Sequence, residues 1–267
     1  MESFDLVQTL ECGQCFRWNR QPDGSYTGVA SSRILNISPE TCNNALRDPF
    51  WKHYFDFDLD YDGIRADLAE SDPVLAQAAE FAPGMRILNQ DPWEALCSFI
   101  ISQNNNIPRI KGIVARLCDA FGEEIGTGEH TFPAPERLAV LCEDDLAVVR
   151  CGFRARYLLD AARKVASGEI DLEQVRKLPL DEAREKLTGI VGVGPKVADC
   201  ALLYGLHRLD AFPMDVWMKR AMQTLFPGKT PESFGPYAGI AQQYIFHYSR
   251  MNPELFSQKE QLLTAKA

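Results

Sequence analysis

No stretch of this 267-residue chain approaches the eighteen or so apolar residues that a membrane-crossing helix needs, so a spanning helix is excluded. The first residues, MESFDLVQTLECGQCF, have no basic start before an apolar run, so a secretory signal is not expected. No cysteine follows Cys200, which rules out a four-cysteine iron–sulfur cluster in the C-terminal part. Cys12 and Cys15 form a CxxC, but no second pair or histidine cluster lies near it; two small, semi-buried residues are expected there rather than a metal site. The eight cysteines then read as reduced thiols. The expectation is a protein of the cytoplasm or nucleoid if the source is bacterial, with a nuclear location left open and secretion not expected.

Positive charge is also short. Lys and Arg number 28 against 37 Asp and Glu, a net of -9, which counts against a general nucleic-acid binder. The imbalance is uneven, however. Residues 54–72, YFDFDLDYDGIRADLAESD, hold much of the acid. Between Arg150 and Lys164 the cations Arg150, Arg154, Arg156, Arg163 and Lys164 face one anion, Asp160, which leaves room for a local basic face.

Repeats and low-complexity linkers are absent. Residues 1–60 look β-rich: CFRWNR, YTGVA and RILNI read as strands, with a hairpin at Asp23-Gly24. From about residue 71 the period becomes helical. Trp93, Leu96, Cys97, Ile100 and Ile101 share one face, behind an Asp91 cap with Pro92 first and Glu94 placed as a box partner. A helix through Ile110, Ile113, Val114, Leu117 and Phe121 stops at Gly122, and further helices are expected at 135–149, 155–167, 179–188, 195–205, 215–226 and 236–250. The fold class is α+β: a small antiparallel sheet in a β-rich domain, residues 1–70, packed on a helical domain, residues 71–267, with a helix–hairpin–helix at about 179–205.

The stretch LTGIVGVGPKVADC is the most informative. Two short helices joined by a Gly-rich hairpin expose backbone N–H groups around Gly192, Gly194 and Val197, an arrangement that holds phosphate without net positive charge. It would follow a sugar–phosphate backbone without reading bases. Lys196 sits in the first turn of the second helix, where the positive helix end and partial burial disfavour the ammonium form. A lysine held as free amine is a nucleophile that forms Schiff bases; as a solvated cation it would only lend charge to a phosphate. Nineteen residues on, Asp215 is a good helix N-cap, and equally a carboxylate that could face Lys196 and stabilise a developing sugar cation.

Hairpin, lysine and downstream aspartate together resemble the helix–hairpin–helix, Gly-Pro-Asp superfamily of DNA glycosylases, and more specifically its 8-oxoguanine DNA glycosylase/AP lyases, from about Leu10 to Ser249. The resemblance implies Lys196 and Asp215 as the catalytic pair. It implies a lesion pocket made by the Gly13 carbonyl, Cys200, Gln242 and Phe246, with Gly13 accepting the N7–H that oxidised guanine carries and guanine lacks. In QNNNIPR it implies that Asn104 fills the hole left by the extruded base and Arg109 contacts the widowed cytosine. In CGFRARY it implies Phe153 as a wedge and Arg154 as a second cytosine reader. Each of these residues also has a plain reading, as a turn, a core position or a surface cation. Two departures stand out: Met214 precedes the aspartate, and Trp217 occupies a place where relatives often have a phosphate-contacting histidine, with Lys219 and Arg220 nearby as the candidates to replace that contact.

The implied activity is excision of 8-oxoguanine, opposite cytosine, from double-stranded DNA by base flipping and a lysine Schiff base, with strand cleavage. No cofactor, catalytic metal or membrane partner is implied, and a monomer is expected. Two alternatives stay open on the residues: a non-catalytic helix–hairpin–helix DNA-binding module, and a same-fold glycosylase for alkylated purines.

Overall fold

The computed structural model describes residues 3–256, so residues 257–267 of the expected helical domain lie outside the described residues. Helix α1 (Leu6–Leu10) leads into strands β1 (Trp18–Arg20), β2 (Tyr26–Ala30) and β3 (Arg33–Ile37), an antiparallel sheet in that order. The hairpin falls at Asp23-Gly24, where Gly24 takes φ 87° and Asp23 Oδ1 accepts from the Ser25 amide at 2.9 Å. Trp18 pairs with Gly28 across the first two strands, and its indole lies so close that a Cβ on Gly28 would sit 2.2 Å away. Trp18 then packs on Trp51, Tyr54 and Phe55 to form the sheet's own core.

Strand β1 is shorter than the segment read as a strand. Upstream of it the buried Gln14 pins the chain in an irregular path: its side chain donates to the Thr9 and Arg86 carbonyls at 2.8 and 2.7 Å and accepts from the Leu88 amide at 2.9 Å. Helices also begin earlier than hydrophobic pattern alone suggests, with α2 (Cys42–Ala45), α3 (Pro49–Tyr54), α4 (Tyr61–Ser71) and α5 (Pro73–Phe81). The cause is capping. Asp48, Asp60 and Asp72 each accept a first-turn amide, and Pro49 and Pro73 take opening positions. Part of the acidic run at 54–72 is therefore helix punctuation.

The helical body follows: α6 (Pro92–Ser102), α7 (Ile107–Phe121), a ribbon of β4 (Glu124–Gly126) and β5 (Glu129–His130), α8 (Pro135–Ala139), α9 (Ala155–Ala166), α10 (Leu172–Lys177), α11 (Leu180–Thr188), α12 (Pro195–Tyr204), α13 (Val216–Leu225) and α14 (Ala238–Met251). One large core runs through it and takes in Cys12 and Phe16 from the N-terminal part, while Cys15 belongs to the sheet's core. Both thiols of the CxxC are fully buried, deeper than the semi-buried positions expected from the sequence.

Three local expectations are corrected. The segment 135–149 is not one helix: α8 ends at Ala139 and a 3-10 turn covers Asp145–Val149. Between them Asp145 Oδ2 accepts from the Cys142 amide at 2.8 Å and restarts the chain. Helix α14 starts at Ala238 because Gly235, at φ 68°, and Pro236 break the preceding turn. At α6, Asp91 does cap the Glu94 amide at 2.8 Å, but the Glu94 carboxylate turns to Arg17 at 3.4 Å instead of closing a capping box. Helix α6 is buried along most of its length and packs against α12, which fixes the two helices that frame the site below.

Candidate active site

Helix α11, the hairpin 189–194 and α12 form the helix–hairpin–helix. Leu187 and Ala183 bury the first helix, and Gly189 closes it. In the turn, Val193 N donates to Ile190 O at 3.0 Å. Gly192 takes φ 79° beneath the Tyr157 ring, so close that a Cβ would meet ring carbons at 2.5 Å. Asp160 holds the turn by accepting from the Val191 amide at 2.7 Å, and Lys164 donates to Gly189 O at 2.6 Å. Gly194 is the N-cap of α12 and offers no side-chain cap, which leaves the first-turn amides, Val197's among them, without intrahelical acceptors. Gly192 and Gly194 are exposed and Val197 is buried beneath them. This is a loop that can take a phosphate oxygen.

One residue into α12, Lys196 is half-buried and turns inward. Its Nζ lies 3.5 Å from Ser102 Oγ and 5.6 Å from the centre of the Phe99 ring, both on α6, and it makes no ion pair among the described residues. Asp215 caps α13, with Oδ1 accepting from the Met218 amide at 2.7 Å. That bond engages Oδ1 and leaves Oδ2 with no hydrogen-bond partner among the described residues. Lys196 and Asp215 line the same cavity, of about 60 Å³, together with Gly13, Cys200, Gln242 and Phe246. The structure thus brings together all six residues expected for the catalytic pair and the lesion pocket. Cys200 is buried, and burial foremost pushes its thiol up to about 11, against the pull of Lys196.

Gly13 has φ 92°, a conformation that suits glycine and turns this segment across the cavity mouth. Gln242 is buried on α14, with the Tyr204 hydroxyl 3.4 Å from its Oε1, and Phe246 lies one turn further on. Tyr204 stacks on Phe99 with ring centres 5.1 Å apart, and it also donates to Gln243, whose Nε2 donates to Cys12 O at 3.1 Å. Phe99, Ser102 and Tyr204 were not found from the sequence. They sit in apolar helix patterns that look like any core, and only the packing of α6 on α12 brings Phe99 and Tyr204 to the cavity and Ser102 to Lys196.

The cavity is far smaller than the roughly 300–1,000 Å³ of a ligand cleft. It adjoins a cleft of about 710 Å³ that shares Gly13, Asp215 and Phe246 with it and continues to Asn105, Lys111, Trp217 and Arg250. A planar base could enter from that cleft if Phe246 and its neighbours part.

Beside the cleft, Asn104 is exposed and left-handed, with φ 46°. Asn106 caps α7 by accepting from the Arg109 amide at 3.0 Å, and Arg109 is exposed. Arg154 is different: it is 2% exposed and spends its fork on backbone carbonyls. Nε donates to Gln103 O and Nη2 to Asn104 O, each at 3.0 Å, and Nη1 to Cys151 O at 3.2 Å. Burial, and then nearby Arg109, lower its pKa. In this state Arg154 holds the Asn104 loop. Phe153 is 50% exposed, with the Arg154 guanidinium 4.4 Å from its ring centre and the Tyr157 ring edge-on to it at 5.8 Å. At α13, the Trp217 indole donates to Ser249 Oγ at 2.9 Å and packs edge-on against Phe256.

With this geometry in place, the comparisons with known proteins are consistent across the chain. Residues 1–96 match the 8-oxoguanine DNA glycosylase N-terminal domain, and residues 97–233 match the HhH-GPD superfamily of base excision DNA repair proteins. The N-glycosylase/DNA lyase OGG1 of Arabidopsis thaliana is 30% identical, over 90% of this chain and 76% of its own length. A structure of MBOgg1 in complex with a low-affinity DNA ligand is 44% identical at a TM-score of 0.83, covering 93% of this chain and 92% of that one. The 8-oxoguanine glycosylase/lyase of Clostridium acetobutylicum, solved with double-stranded DNA containing cytosine opposite 8-oxoG, is 38% identical at a TM-score of 0.82, covering 95% and 94%. Family matches that cover the chain and a relative at 30% identity agree with this architecture, and the chain belongs to the 8-oxoguanine DNA glycosylase family of the HhH-GPD superfamily of base excision DNA repair proteins.

Proposed function

We propose that this glycosylase removes 8-oxoguanine paired with cytosine from duplex DNA and then nicks the abasic strand through a Schiff base on Lys196. The observation that carries the proposal is the shared cavity: Lys196, inward-turned and without an ion pair among the described residues, and the capping Asp215 line it with Gly13, Cys200, Gln242 and Phe246.

The hairpin amides hold the backbone, and Phe153 and Asn104 take the place of the extruded base. The base then stacks between Phe246 and Cys200, with Gln242 on its pairing edge and Gly13 accepting N7–H. The Lys196 amine attacks C1′ as the C1′–N9 bond breaks. The base leaves with that electron pair and is protonated, while the new C–N bond sheds a proton. Asp215 stabilises the positive charge that builds on the sugar. Ring opening gives a protonated imine. Loss of a C2′ proton then expels the 3′-phosphate, and water releases the sugar.

Discrimination at Gly13 is a single reversed hydrogen bond. Guanine presents a bare N7 acceptor to a carbonyl, and an unmet buried acceptor costs about 1–3 kcal/mol. Arg109 supplies the cytosine preference and Arg154 supports it, while the molecule acts as a monomer over the domains 1–70 and 71–267. The test is borohydride reduction with duplexes carrying 8-oxoguanine opposite each of the four bases. A covalent adduct should form, strongest opposite cytosine, and be absent in Lys196→Gln. Equal trapping opposite all four bases would remove Arg109 from its role, and trapping with alkylated purines alone would replace the substrate.

A further inference from the structure

In the function proposed above, the phosphates of the flipped nucleotide stay at the rim of the cleft, which α13 and α14 help to build through Trp217, Phe246 and Arg250. The first turn of α13 is poorly equipped to meet them. Trp217 has no charge, and its N–H is engaged by Ser249 at 2.9 Å. Arg220 is stacked on Phe256, 4.4 Å from the ring centre, and neither Lys219 nor Arg220 lines the cleft.

Arg250 does line it, beside Asp215, Trp217 and Phe246. It lies one turn after Phe246 on α14, with its guanidinium 5.6 Å from the centre of that ring. It is exposed and makes no hydrogen bond or ion pair with any described residue. Its field reaches its neighbour: the His247 imidazole is lowered by burial first and by Arg250 second. A planar fork with all donors free, braced on an aromatic face at the edge of a nucleotide-sized cleft, is suited to a bidentate phosphate contact.

We infer that Arg250 grips a backbone phosphate flanking the flipped nucleotide, taking the part that neither Trp217 nor the other α13 cations play. The inference rests on the function proposed above. One contact would do two things: anchor the strand beside the reacting sugar, and tie that anchor to the ring that closes over the base.

The experiment measures equilibrium binding, without excision, to a duplex carrying a tetrahydrofuran abasic analogue opposite cytosine. The phosphates flanking the analogue are replaced one at a time by neutral methylphosphonates. In the wild type, one replacement should weaken binding about tenfold, the size of a charge-assisted hydrogen bond. In Arg250→Gln, that same replacement should cost nothing further, and the slope of log K against log salt should fall by about 0.9. Arg250→Lys should recover part of both. If every methylphosphonate costs the variant what it costs the wild type, Arg250 makes no phosphate contact. If the wild type binds the analogue no better than undamaged duplex, the functional reading fails and the role of Arg250 with it.

Discussion

Replacing Arg154 by methionine removes a fork and keeps most of the stem. Three backbone carbonyls, of Gln103, Asn104 and Cys151, lose their donor at once. A buried acceptor left unmet costs about 1–3 kcal/mol. Asn104 itself is exposed, so its carbonyl can turn to water, and the two carbonyls left put the total at about 2–6 kcal/mol. That is a large part of the roughly 5–15 kcal/mol by which proteins are stable. There is a second consequence. Asn104 is held in a left-handed conformation that asparagine tolerates better than most residues, and the Arg154 clamp on its carbonyl keeps the loop there. Freed, the loop should drift, and Arg109, anchored to it through the Asn106 cap, should drift with it. Urea unfolding should show the loss of stability, and single-turnover excision should fall roughly tenfold opposite cytosine and less opposite the other bases. Arg154→Lys should sit between, because one ammonium reaches fewer carbonyls than a fork. If Arg154→Met unfolds within about 0.5 kcal/mol of wild type and keeps its opposite-base preference, the clamp is not what orders the loop.

Other outcomes follow from single contacts. Gly192→Ala places a Cβ against Tyr157 in a positive-φ turn, so binding to damaged and undamaged duplex alike should weaken about tenfold; unchanged binding would show that the hairpin does not carry the backbone. Gly13→Ala, at φ 92°, should cost about 1–2 kcal/mol of stability and narrow the preference for oxidised over normal guanine, measured as the ratio of excision rates. Burial, against Arg17, pushes the Glu94 carboxyl up to about 7 from 4.5. A carboxyl raised on folding stabilises the protein fully below about pH 4.5 and loses that contribution as pH rises through about 7. Glu94→Gln should therefore flatten the dependence of Tm on pH across that window, and a curve as steep as the wild type's would refute the assignment.

Much of the site was legible because its chemistry is local. A hairpin needs glycine where φ is positive, α12 needs proline at its start, and a cap needs Asp215 one residue before α13; each leaves a mark in a few consecutive residues. Gln242 and Phe246 came from the family resemblance alone, and their spacing of one helical turn only places them on a common face. Phe99, Ser102 and Tyr204 were not, since helices buried on every face look alike whether or not one wall meets a cavity. Arg154 could be seen in the sequence, but its engagement with Gln103 and Asn104, fifty residues away, could not. In the fold, strands β2 and β3 and the long helices followed from periodicity. Helix α4 hid in an acidic run because Asp60 and Asp72 act as the N-caps of α4 and α5, and α2, α3, β4 and β5 were hidden by their brevity.

The account turns on which nitrogen holds the sugar. The direct measurement is to reduce the reaction of wild-type protein with an 8-oxoguanine:cytosine duplex, digest the product, and find by mass spectrometry the peptide that carries the deoxyribose remnant. The remnant should sit on Lys196. Its presence on another amine, or a full yield of excised base with no adduct, would contradict the lysine mechanism.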